Sequence, residues 1–118
     1  MVFTPQELTA MIVRKAVKMV HEMDKRIIGV VENMSYLYVE DLDRKIEIFG
    51  SSLGEKMSKA AGAPLLARIP IDPDLSRLSD EGRIEECQSE LIGHLADGIE
   101  ESLSKDGGKE ASHGAIAE

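Results

Sequence analysis

The stretch Ile27–Ser35, IIGVVENMS, decides the reading of this chain. It opens as an apolar run, Ile27, Ile28, Val30 and Val31, interrupted only by Gly29. β-Branched residues this dense, without polar alternation, predict a strand buried on both faces of a parallel sheet. The chemistry then changes within one residue to Glu32, Asn33, Met34 and Ser35. Open α/β sheets bind ligands beyond the carboxyl ends of their parallel strands. Asn33 therefore becomes a candidate ligand residue at the end of a sheet.

Outward from this strand, the N-terminal side begins with Val2 and Phe3 and runs into Thr4-Pro5-Gln6-Glu7. Thr4 with Glu7 reads as a capping box, and Pro5 as a first helical residue. Leu8, Met11, Ile12, Ala16, Met19, Val20 and Met23 recur at helical spacing, predicting an amphipathic helix over 5–23 with these residues on the sheet. On the C-terminal side, Tyr36, Tyr38 and residues 45–49 flank the acidic turn Glu40-Asp41-Leu42-Asp43 and predict a β-hairpin. Ser52 and Glu55 suggest a second capping box, and Gly62 a helix stop. Pro64–Ile69 reads as another strand. Asp72 before Pro73 reads as the N-cap of a short helix that buries Leu75 and Leu78 and ends near Gly82. A last helix is expected over 88–104, and the small, Gly-rich residues 105–118 predict a disordered tail.

Composition sets the bounds. The chain has 118 residues, 42% hydrophobic and 31% charged, enough for one domain with a real core and too few for two. Aromatics are 3%, with no Trp, which argues against base-stacking on nucleic acid. The formal net charge of −8 disfavours nucleic acid and anionic membranes alike. The single cysteine, Cys87, excludes an internal disulfide and fits a reducing compartment. With no signal peptide or long apolar run evident, the expectation is a cytoplasmic protein. The three histidines are scattered and show no metal-ligand spacing, and the methionines read as core. The acidic turn reads as solvated.

Several of these stretches together closely resemble one family. TPQEL at Thr4–Leu8, IIGVVENMSYL at Ile27–Leu37, and EIFGSSLGEKMSKAAGAPLLARIPIDPDLSRLSDEG at Glu47–Gly82 are similar to the C-terminal half of the Mrp (ApbC-like) ATPases, of the MinD/ParA-type branch of P-loop proteins. The resemblance is continuous from Val2 to Arg83. It implies an α/β fold, the C-terminal part of a doubly wound parallel sheet with a β-hairpin insertion, over residues 1–104. It also implies ATP as ligand, iron–sulfur cluster transfer as the parent function, and a homodimer as a common assembly. By resemblance, Asn33 contacts adenine, and Pro70 to Asp72 frame the same base. An Asn amide offers a donor and an acceptor, as the adenine edge does; on spacing alone Asn33 reads first as a turn cap.

Two departures matter. No GxxxxGK[ST] occurs in this sequence, so the phosphate-binding half of the family's site is not in these residues. The family's CxxC falls at Val39 and Leu42, so an iron–sulfur cluster is not expected on this chain. No catalytic residue and no metal ligand is assigned, and turnover by this chain alone is not expected. Two readings of different kinds follow. One is the adenine-side portion of an ATP-binding cluster carrier, paired with a P-loop half. The other is a non-enzymatic module, or a degenerate fragment, that pairs with itself or with an intact family member.

Overall fold

The computed structural model describes residues 1–117, with side chains described through Lys105. Strand β1 (Val2–Phe3) leads into helix α1 (Glu7–Glu22), then strand β2 (Val30–Glu32). Strands β3 (Leu37–Val39) and β4 (Arg44–Ile46) follow, joined by a 3₁₀ turn at Glu40–Leu42. Helix α2 (Gly54–Ala61), strand β5 (Leu65–Arg68), helix α3 (Pro73–Asp80) and helix α4 (Glu90–Ala117) complete the order.

The sheet is parallel, in the order β1-β2-β5. β3 and β4 pair antiparallel as a separate hairpin, with Tyr38 opposite Lys45. This is the α/β architecture with a hairpin insertion that the sequence predicts. β2 is central and buried at every residue, which explains its unbroken β-branched run. Phe3, Ala10, Val17, Ile27, Val30, Leu53, Met57, Ala61 and Ala63 form the core. Gly54 lies so close to β5 that a Cβ there would sit 2.6 Å from Leu65 Cδ2. Gly62 ends α2 at φ 62°, the left-handed conformation that glycine adopts without steric cost.

The structure corrects several local expectations. Helix α1 starts at Glu7, not Pro5, and its N-cap is Gln6 with no side-chain cap bond. Thr4 Oγ1 instead donates to Gln6 Oε1 at 3.3 Å, and the chain bends at Pro5 before the helix begins. At α2 the Ser52–Glu55 box is replaced. The N-cap is Leu53, Ser52 Oγ accepts from Gly54 N–H, and the Leu53 N–H donates to Glu32 Oε2 at 2.8 Å. A carboxylate 21 residues upstream thus serves the helix N-terminus, where a negative charge is stabilised.

The largest correction concerns α1. Ala10 and Val17 are its buried residues, with Val13 and Val20 packed beside them. Leu8, Met11, Ile12, Met19 and Met23, predicted to face the sheet, are exposed. The helix carries two apolar stripes, and the small, β-branched one fits against the sheet. Of the methionines expected in the core, only Met57 is buried. The tail expected over 105–118 lies, past Lys105, outside the fully described residues; Lys105 itself, a full turn beyond Glu101, pairs with it at 2.7 Å. Among the described residues, no helix is long and apolar enough to cross a membrane.

Candidate functional site

The carboxyl ends of β2 and β5 stay tied together after the strands end. Ile69 N–H donates to Glu32 C=O, Ser35 N–H to Ile69 C=O, and Ile71 N–H to Tyr36 C=O, at 2.7 to 2.9 Å. Asn33 N–H donates to Phe3 C=O at 2.7 Å. Asn33 is thereby fixed between the end of β1 and the Pro70–Asp72 segment. Met34 turns the chain away with φ 54°.

A cleft of about 480 Å³ opens here, and Asn33, Pro70 and Asp72 all line it. Met34, Ile71 and Leu75 supply apolar wall, and Ser76 and Asp80 come from the facing side of α3. Asn33 Oδ1 accepts the Met34 N–H at 2.9 Å, which is the turn-capping role that its spacing allowed. The side-chain NH₂ and the second lone pair of Oδ1 remain for a ligand. Asp72 caps α3, with Oδ1 accepting the Asp74 N–H at 2.9 Å. Its second oxygen is left for other donors. Apolar walls rimmed by an amide and carboxylates suit a neutral planar heterocycle with an exocyclic amine. The same carboxylates, Asp72 and Asp80, would repel a phosphate.

Glu32 lies next in the chain to Asn33 but does not line this cleft. It is the last residue of β2, and its side chain is fully buried. Ser35 Oγ donates to Oε1 at 2.5 Å and Arg68 Nε reaches the same oxygen at 3.4 Å. Arg68 also donates to Ser35 Oγ at 2.9 Å and to Glu47 Oε1 at 3.1 Å. Burial alone would push the Glu32 carboxyl up. Hydrogen bonds from Ser35, Ser52 and the Leu53 N–H, together with the Arg68 charge, outweigh it and hold the carboxyl below its ordinary range. This one side chain joins β2, β5, the start of α2 and, through Arg68, the segment after β4.

Sequence reasoning named Asn33, Pro70 and Asp72 but missed Glu32, Ser76 and Asp80. For α3 the signal was present: 72, 76 and 80 recur at helical spacing behind a Pro start. For Glu32 it was not, since a Glu ending an apolar run reads as the first solvated residue. Val39 closes β3 and Leu42 lies in the exposed turn. Among the described residues, no three His, Cys, Asp or Glu side chains gather where they could hold a metal ion.

A parallel sheet with helices, and a ligand-sized cleft beyond the ends of adjacent strands, define a doubly wound α/β fold of the nucleotide-binding kind. The model of the NUBPL iron-transfer P-loop NTPases, of the ParA type, matches residues 1–103, and the chain belongs to that family. It is similar to iron-sulfur cluster carrier proteins of Clostridium perfringens (38% identical over 89 residues, 75% of this chain and 31% of the relative) and Synechocystis (42% over 82 residues, 69% and 23%). The protein of that name from Pyrococcus horikoshii is 37% identical over 118 aligned positions, 92% of this chain and 40% of the relative. Among solved structures it resembles a nucleotide-binding protein from Archaeoglobus fulgidus in complex with ADP. That match has a TM-score of 0.62 and 36% identity, covering 75% of this chain and 37% of the other. The chain thus spans between about a quarter and two-fifths of the length of these relatives.

Proposed function

We propose that this chain supplies the adenine side of the nucleotide site of an ATP-binding iron–sulfur cluster carrier. The phosphate side would come from a polypeptide that bears the Gly-rich loop. The observation that carries this reading is the meeting of Asn33, Pro70 and Asp72 on one cleft at the ends of β2 and β5. In it, the Asn33 amide donates to a ring nitrogen of adenine. Met34, Ile71 and Leu75 cover the ring faces. A carboxylate oxygen of Asp72 accepts from the exocyclic amine.

Phosphoryl transfer is catalysed by positioning and by neutralising charge at the phosphates, and these residues do neither. A few neutral hydrogen bonds contribute ~1–3 kcal/mol net. Micromolar affinity needs ~8 kcal/mol. ATP binding by the chain alone is therefore expected to be weaker than millimolar, with no turnover. The test adds a separately expressed family N-terminal half that carries the Gly-rich loop. ATPase activity that requires both chains and falls on Asn33→Ala supports the reading. Turnover by the purified chain alone, free of contaminating ATPases, would sink it.

A second reading has its own observation. Among the described residues β1 pairs with β2 alone, and an apolar stripe of α1 is exposed. Such a surface suits association with a family member or a second copy, with or without nucleotide.

A further inference from the structure

A second cleft lies on the hairpin side of β5 and is used by neither reading above. It measures about 430 Å³ and is lined by Tyr36, Arg44, Lys45, Ile46, Glu47 and Arg68. The volume is in the range of small-ligand sites. Its construction is specific. Lys45 stands diagonally across the hairpin from Tyr36, with Nζ 4.6 Å from the ring centroid. Arg68 Cζ stands 5.8 Å from the same centroid. The ring thus holds two cations beside the opening, an attraction that also limits their rotamers.

The charge balance here runs against that of the chain. The chain as a whole carries −8, and two of its arginines are held by carboxylates: Arg77 by Asp74 and Glu81, Arg83 by Glu81 and Glu86. In this cleft three cations meet Glu47 and the buried Glu32. Arg68 is committed to both of those through Nε and Nη2, which leaves its Nη1 end as a donor. Arg44 and Lys45 have no carboxylate partner among the described residues, although Glu40, Asp41 and Asp43 lie nearby in the chain. Asp43 accepts the Tyr38 hydroxyl instead.

We propose that this cleft binds a small oxyanion, a phosphate or carboxylate group, between Arg44 and Lys45. Arg68 completes the positive wall, and Tyr36 with Ile46 contacts the organic part of the ligand. The guanidinium fork of Arg44 gives directional hydrogen bonds and the Lys45 ammonium a point charge, a pairing suited to either group. The site does not depend on the adenine reading.

The test is an NMR titration of the 118-residue chain with inorganic phosphate and, separately, with citrate, at ionic strength held constant with chloride. Saturable shifts are expected at Tyr36, Arg44, Lys45 and Arg68, and the anion with the stronger effect identifies the group preferred. Arg44→Gln and Lys45→Gln, both at exposed positions, should each weaken binding about two- to fivefold, and together abolish saturation. Asn33→Ala should leave the titration unchanged. Shifts that grow linearly with both anions, or that survive in the double variant, would overturn the proposal. So would loss of the shifts in Asn33→Ala, which would merge the two clefts into one site.

Discussion

The two edges of the sheet are finished differently. At the β5 edge, α2 and α4 pack against the strand, and Arg68 is held by Glu32, Ser35 and Glu47. At the β1 edge α1 alone packs against the strand, and no side-chain clamp like that of Arg68 is present among the described residues. Met1 and Phe3 carbonyls accept from Val31 and Asn33, so by the alternation of a parallel ladder the Val2 peptide groups point outward. Val2 is 62% exposed, and Leu8, Ile12 and Met19 continue an apolar surface along α1. A parallel sheet is normally covered on both faces and closed at its edges by further elements. Among the described residues neither β1 nor β5 has a second strand neighbour, and the two edges differ in that β5 carries two helices and the Arg68 clamp.

The strongest way to break the comparison is to remove what organises the finished edge. Glu32→Ala would leave the Leu53 N–H and Arg68 without their buried acceptor. Arg68, partly exposed, keeps Glu47 and Ser35, but each buried donor left without its acceptor costs about 1–3 kcal/mol, together a large share of the stability of a domain this size. Urea denaturation should show that loss or no cooperative transition at all. Titration of the same group gives a milder version. The folded carboxyl holds its proton less tightly than the unfolded one. Its contribution is therefore present above the ordinary carboxylate range and is lost as pH falls through the depressed folded value. Stability of the parent should decline in acid, and Glu32→Gln should flatten that part of the profile. A parent profile as flat as that of Glu32→Gln would show that the carboxylate does not contribute in this way.

Next in size is a contrast between two methionines. Met57 is 1% exposed in the core and Met19 is 63% exposed on α1. Met57→Ala should cost about 2–5 kcal/mol, by lost transfer energy plus a cavity. Met19→Ala should change stability by less than ~0.5 kcal/mol. Its effect should appear in association instead. Sedimentation of the parent is expected to show concentration-dependent self-association, which Ile12→Lys with Met19→Lys should suppress without lowering the denaturation midpoint. A clean monomer at high concentration would mean that the open edge is protected in some other way.

That contrast also measures what the sequence could disclose. β2 was legible because burial on both faces leaves an uninterrupted apolar run, and β5, half-buried at every residue, because its apolar run lies between two prolines. α3 was legible because an Asp-Pro pair has a local mechanism, and Gly62 because a helix end at positive φ calls for glycine. The packing face of α1 was not legible. Periodicity alone cannot rank two apolar stripes, and the larger residues drew the assignment to the stripe that faces outward. The cap of α2 was invisible for another reason. Glu32 and Leu53 are 21 residues apart, and no local pattern joins them. The cleft was half legible. Asn33, Pro70 and Asp72 came from resemblance, whereas Ser76 and Asp80 follow from the helical spacing behind Asp72.

The smallest expected effect is also the one that separates structure from ligand recognition at the cleft. Asp72 does two things at once: it caps α3 and lines the cleft beside Pro70. Asp72→Ala removes both and should cost ~1 kcal/mol, the usual weight of an N-cap. It cannot tell the roles apart. Asp72→Asn can, because Asn caps about as well as Asp while removing the charge. Its denaturation midpoint should fall within a few tenths of a kcal/mol of the parent, allowing for the lost attraction of a carboxylate to the helix dipole. Its nucleotide binding should respond in the presence of a P-loop half. If the Asp72 carboxylate accepts the adenine amine, an Asn oxygen still can, but as a neutral and therefore weaker acceptor. ATP affinity should then fall about two- to tenfold, while a triphosphate lacking the base should be unaffected or bind slightly better as one negative charge is removed. Equal affinities of parent and Asp72→Asn for ATP would leave Asp72 as a helix cap alone, and the adenine side of the site would rest on Asn33.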